Sequence, residues 1–192
     1  MAPGSSHNLT AEERRTLLTV ARHSIQHALE HGSPLPVTLS RYPESLRVKR
    51  ATFVTLKQRE QLRGCIGTLV AIRPLVEDVA QNAYAAAFSD PRFPPLSPAE
   101  LESLRIEISV LSPPEPMTFS SEADLLKQLR PGVDGLILEE DGYRGTFLPS
   151  VWESLPRPEQ FLQHLKLKAG LPSDYWSGTL RVQRYTTESF SE

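Results

Sequence analysis

The stretch Leu62-Arg63-Gly64-Cys65-Ile66-Gly67-Thr68 decides how the chain is read. It holds the one cysteine of 192 residues, set between two glycines and two places after an arginine. In an extended strand Arg63 and Cys65 share one face, while Leu62, Gly64 and Ile66 take the other. Upstream, Ala51 to Leu56 is rich in β-formers and Lys57-Gln58-Arg59-Glu60 is a polar turn. Leu62 to Val70 is therefore predicted to return as the second strand of a hairpin. Downstream, Arg73-Pro74 opens a helix to about Ala87, with Leu75, Val79, Ala83 and Ala86 inward.

Working outward, residues 1–9 are expected to be a loose tail and 10–192 a single domain. Thr10 and Glu13 have capping-box spacing, so a helix is predicted from Ala11 to His31, stopped by Gly32. Residues 33–46, with three prolines, read as a loop. So do residues 89–96, because their prolines forbid helix or sheet. Ser97 caps a short turn at Pro98–Glu102. Leu104 to Leu111 alternates Ile106, Ile108 and Val110 against Arg105, Glu107 and Ser109, the period of a half-buried strand. The same order then recurs. A helix is expected at Ser121–Leu129 and strands at Gly135–Glu140 and Tyr143–Leu148 about the turn Asp141-Gly142. A helix from Pro158 to about Ala169 and a strand at Thr179–Tyr185 complete it. Leu62-Arg63-Gly64 answers Tyr143-Arg144-Gly145, Arg73-Pro74 answers Arg157-Pro158, and Leu104-Arg105 answers Leu180-Arg181. The expected fold is therefore α+β: two repeated helix–hairpin–helix–strand units, about 10–116 and 117–187, sharing one largely antiparallel, barrel-like sheet.

The totals narrow the function. Hydrophobic content of 39% and charged content of 23% are those of a soluble globular chain. A net charge of -2 without a basic stripe argues against nucleic-acid binding. No apolar run reaches the length of a membrane span, and the start lacks the regions of a signal peptide. One cysteine excludes an intrachain disulfide, and a reducing compartment, the cytoplasm, is the expected location.

Chemistry is expected to gather at Cys65. Arg63 on the same face would favour a thiolate and anchor an anion, while Gly64 and Gly67 would let a ligand approach the backbone. The rival reading of Cys65 is a small buried hydrophobe. Glu107 joins the candidate centre if the sheet curls to bring it near Arg63. Asp90, Arg92 and Tyr84 are candidate ligand-binding residues, with an ion pair locking the loop as the alternative for the first two. His164 is the one histidine assigned to the site. His23, His27 and His31 have metal-compatible spacing, but lie opposite the apolar stripe and read as a solvated face, so no metal set is assigned. No cofactor motif is legible.

Several blocks together resemble the AMME chromosomal region family, whose prokaryotic members are called AmmeMemoRadiSam system protein A. They are Leu62–Gly67, Asn82–Phe88 with Asp90–Leu96, Glu107–Leu111, Phe147–Trp152, and Phe161–Leu162 with Lys168–Pro172. The similarity covers about residues 11–187. It implies an α+β fold of two repeats with a barrel-like sheet, and association with a Memo-type protein and a radical S-adenosylmethionine protein. The family pattern often has a second cysteine where this chain has Lys166, so a two-cysteine mechanism within the chain is not expected. Two functions follow as expectations. One is a small enzyme or substrate-presenting subunit of a modification or biosynthetic pathway, acting on a small molecule or peptide through Cys65, Arg63 and Glu107. The other is a non-catalytic adaptor using the same face and the Pro91–Pro98 loop.

Overall fold

The computed structural model describes residues 8–192. The expected tail lies outside the described residues over 1–7. Leu9 is buried, and its N–H donates to Glu188 Oε1 at 3.0 Å. The chain divides into two compact units, the residues up to Leu111 with Glu188–Glu192, and Ser112–Thr187.

The first unit begins with α1 (Ala11–His31), which has the expected capping box at Thr10 and Glu13 and ends at Gly32 with φ 74°. A short helix α2 (Glu44–Arg47) interrupts the expected loop, and its Leu46 is fully buried. Then come β1 (Thr52–Gln58), β2 (Gln61–Gly67), α3 (Leu75–Phe88), a 3-10 turn (Pro98–Ser103) and β3 (Leu104–Leu111). The β1–β2 turn is made by Arg59 and Glu60, both at positive φ. The turn falls within the expected Lys57–Glu60 segment, although neither residue type advertises positive φ. With β8 (Thr187–Ser191) these strands form a sheet of order β2-β1-β3-β8. Val54, Leu56, Ile106, Ile108 and Val110 alternate into one core with Leu17, Ala21 and Ile25 of α1 and Leu75, Val79 and Ala83 of α3. Each large side chain buried there contributes roughly 1.5–3 kcal/mol. A buried polar pin holds the strands to α3. Asp78 accepts from Thr52 N (2.9 Å), Thr52 Oγ1 (2.7 Å), Thr68 Oγ1 (2.9 Å), Arg73 Nε (2.9 Å) and Asn82 Nδ2 (3.0 Å).

The second unit holds β4 (Glu115–Pro116), α4 (Glu122–Gln128), β5 (Gly135–Glu140), β6 (Tyr143–Phe147), α5 (Pro158–Ala169) and β7 (Arg181–Tyr185). Its sheet has the order β4-β7-β5-β6. The Asp141-Gly142 turn forms as expected, with φ 46° and 84°. Trp152 anchors this unit's core. It stacks on Phe161 at 3.8 Å, and its Nε1 donates to Asp134 O at 2.8 Å.

One expectation is corrected here. The strands do not share one barrel-like sheet. Among the described residues they form two four-stranded sheets, and neither is closed. Pro113 and Pro114 end β3, as read, and the chain next pairs not beside β1 but as β4 beside β7. Prolines cannot donate to a continuing ladder.

Candidate functional site

β2 is the outer strand of its sheet, so one of its edges has no strand beside it. An open edge is normally covered or blunted, and here the loop after α3 covers it. Cys65 N, which points away from β1, donates to Asp90 Oδ2 at 3.0 Å. Cys65 and its partner Thr55 thus form a non-hydrogen-bonded pair, the type that brings side chains closest. The sulfur lies 3.3 Å from Thr55 Oγ1, and the residue is half-buried.

Asp90 has a side chain only 2% exposed and is held by Arg92. Arg92 N and Nε donate to Oδ1 at 3.0 Å, and Nη2 to Oδ2 at 2.7 Å. The Arg92 hydrogen bond outweighs burial and, with the Cys65 and Arg92 amides, holds the Asp90 carboxyl well below the usual carboxylate range. Reciprocally, the Asp90 bond raises the Arg92 pKa, and the charges of Asp90 and Cys65 add to it. The Arg92 side chain, held by the same carboxylate that fixes the Cys65 amide, is 55% exposed.

Arg63 does something other than expected. A register shift between Leu56 and Lys57 pairs Leu56 with Gly64 and Lys57 with Leu62, leaving Arg63 as the bulged residue. Its side chain is buried against the loop. Nε donates to Glu100 Oε2 at 2.6 Å, Nη2 donates to Pro94 O at 2.8 Å, and the guanidinium lies 5.8 Å from the Phe93 ring centre. Glu100 Oε1 also accepts from Ser97 N and Oγ, both at 3.1 Å, completing a capping box. The Arg63 bond is the main reason the Glu100 carboxyl falls to about 2. Arg63 is thus a staple between β2 and the proline-rich loop. Glu100 was missed, although the Ser97-x-x-Glu100 spacing pointed to it.

Glu107 does not meet Arg63 either. Thr55 pairs with Cys65 on one side and Glu107 on the other, so the three form a row across the sheet. At the usual strand spacing Cys65 and Glu107 are about 10 Å apart. Glu107 Oε2 accepts instead from Lys57 Nζ at 3.4 Å, because Lys57 lies two residues along β1 on the same face. Tyr84 packs its ring against Phe88 at 5.5 Å. The two glycines are filled from within. A Cβ on Gly64 would lie 2.1 Å from Ala86 O of α3, and one on Gly67 would lie 2.2 Å from the Phe53 ring. Both serve internal packing rather than an open approach. His164 is exposed on α5, in the second unit. His27 Nδ1 lies 2.8 Å from Ser33 O, and His31 Nδ1 lies 3.1 Å from His27 O. Among the described residues no group of three or more His, Cys, Asp and Glu could hold a metal.

What remains beside the sulfur is the Thr55 hydroxyl, with the Lys57–Glu107 pair further along the same row of the sheet. This is a mixed α/β protein with antiparallel sheets and a single thiol at a covered sheet edge. The family model AMMECR1 matches residues 18–190. A protein of Methanothermobacter thermautotrophicus is 40% identical over 190 residues, covering 96% of each chain. Protein MJ0810 of Methanocaldococcus jannaschii is 38% identical over 192 residues, 96% of this chain and 92% of its own. The crystal structure of the uncharacterized protein PH0010 from Pyrococcus horikoshii superposes with a TM-score of 0.85 at 36% identity, covering 92% of this chain and 90% of that one. The chain belongs to the AMMECR1 family. No helix among the described residues is long and apolar enough to cross a membrane.

Proposed function

We propose that this protein is a cytoplasmic component of the AmmeMemoRadiSam system. It works with a Memo-type protein and a radical S-adenosylmethionine protein as a small enzyme or substrate-presenting subunit in a modification or biosynthetic pathway. The observation that carries this reading is the half-buried Cys65, whose amide is fixed by Asp90, the carboxylate that also holds the exposed Arg92 guanidinium. In this reading Cys65 is the nucleophile or carrier thiol and Arg92 the anchor for an anionic small molecule or peptide. Arg63 and Glu100 are positioning residues that hold the loop on which Arg92 stands. Glu107, with Lys57, borders the far side of the Thr55 row, and Tyr84 braces α3. In a pathway reconstituted from the three proteins, Cys65→Ser is expected to abolish turnover while leaving the fold intact. Full activity in that variant would remove the thiol role.

The adaptor reading is favoured by one feature, the rigidity of the loop. Asp90 and Pro94 tie it to Cys65 and Arg63, leaving Pro91, Arg92, Pro94 and Pro95 exposed. An adaptor would keep full partner binding and pathway activity in Cys65→Ser and lose both in Arg92→Glu.

We also read the chain as a duplication with exchanged last strands. The order β2-β1-β3-β8 answers β6-β5-β7-β4. A Cβ on Gly145 would lie 2.9 Å from Ala169 N of α5, as one on Gly64 would meet α3. Superposition of the two hairpins with their following helices tests it.

A further inference from the structure

The connection between β2 and α3 is an unusual loop. Leu69-Val70-Ala71-Ile72 is a run of four apolar residues, where turns are ordinarily polar. Val70 is 56% exposed and Ile72 59%. Val48 joins them at 46%, placed alongside by the Lys49–Pro74 bridge and by Leu75 N donating to Val48 O at 2.8 Å. The loop is clamped at both ends by one buried carboxylate. Asp78 accepts from Thr68 Oγ1 before the run and from Arg73 Nε after it, each at 2.9 Å. Thr68 N also donates to Thr52 O at 2.9 Å. An apolar tip held in one shape before it meets anything loses little entropy on docking. Arg47 and Lys49 flank Val48, both exposed and without an ion pair among the described residues. The segments 47–51 and 68–76 contain no Asp or Glu.

We propose that this loop is a preformed plug that seats in an apolar pocket with an acidic rim on a partner protein. A lipid surface fits it less well, because the tip has no Trp or Tyr to sit at an interface and needs no clamp. A second copy fits less well too, since an isologous contact would set Arg47 and Lys49 against themselves. The site is separate from Cys65, so the proposal stands or falls without the reading of the thiol.

The test places the photo-crosslinking residue p-benzoylphenylalanine at Ala71 in the full chain, in cells of its source organism. The crosslinked protein is identified and purified, and binding is measured against the uncrosslinked wild type. The expected result is one protein crosslinked at an acidic, apolar surface. Its affinity should fall at least tenfold with Val70→Ser/Ile72→Ser and severalfold with Lys49→Glu, and should be unchanged in Leu167→Ser, an exposed leucine elsewhere. Unfolding curves of each variant should match wild type. Binding unaffected by Val70→Ser/Ile72→Ser, or no crosslink, overturns the proposal. Sedimentation with phosphatidylcholine–phosphatidylserine vesicles that the double variant abolishes overturns it in favour of a membrane. A crosslink to a second copy, with a dimer in ultracentrifugation, overturns it in favour of self-association.

Discussion

Gly64 illustrates how one atom can be decisive. Its backbone lies so close to α3 that an added methyl would sit 2.1 Å from a main-chain carbonyl oxygen, which no rotamer change relieves. Gly64→Ala is expected to cost about 3 kcal/mol in urea unfolding. Gly178→Ala, where nothing lies within 4 Å, should be neutral. Equal effects would remove the packing argument. Glu100 makes the pH case. The Arg63 hydrogen bond lowers its carboxyl pKa from the ordinary 4.5 to about 2 in the folded chain. A depressed acid contributes stability above the unfolded value and loses it as pH falls through the folded one. Glu100→Gln should therefore lose about 1 kcal/mol at pH 7, the range of a partly exposed pair. The gap to wild type should close between pH 4.5 and about 2. A gap that persists at pH 2 would contradict the pairing. Arg63 and the capping spacing of Glu100 could each be read from sequence, but their pairing could not, since they lie 37 residues apart and only the folded loop brings them together.

At the level of elements, much was legible because the signals were local. The alternation of β3, the Asp141-Gly142 turn, the box at Thr10 and the Gly170 stop, at φ 95°, all appear where the residues placed them. What was not legible depended on neighbours in space. Short β4 and terminal β8 have no periodicity of their own and exist as strands because β7 and β3 lie beside them. The bulge at Arg63 was equally invisible, and with it the contacts that staple this side chain to the loop. The covered edge of β2 makes a prediction of its own. Asp90→Ala removes the acceptor of the Cys65 amide, so hydrogen exchange at Cys65 should accelerate at least tenfold while Val54 and Leu56 in β1 stay protected. Uniform acceleration across the sheet would mean that Asp90 supports the whole unit rather than its edge.

For the whole molecule, each unit has its own core, and chemistry-bearing residues gather in the first. Cys65, Asp90, Arg92, Thr55 and Glu107 belong to one sheet and the loop that covers it, while His164 belongs to the other unit. In the proposed function the lone thiol is presented for reaction and not stored as core. Thr55 and Asp90 hold the residue in place, and Cys65 is half-buried. The most direct measurement is the rate of Cys65 alkylation by iodoacetamide at pH 7, followed by intact mass on folded and urea-unfolded protein, in wild type and Arg92→Gln. The expected result is labelling of the folded chain at a rate no slower than that of the unfolded chain, reduced severalfold by Arg92→Gln. Labelling that begins only when the protein unfolds would contradict it and leave Cys65 as packing.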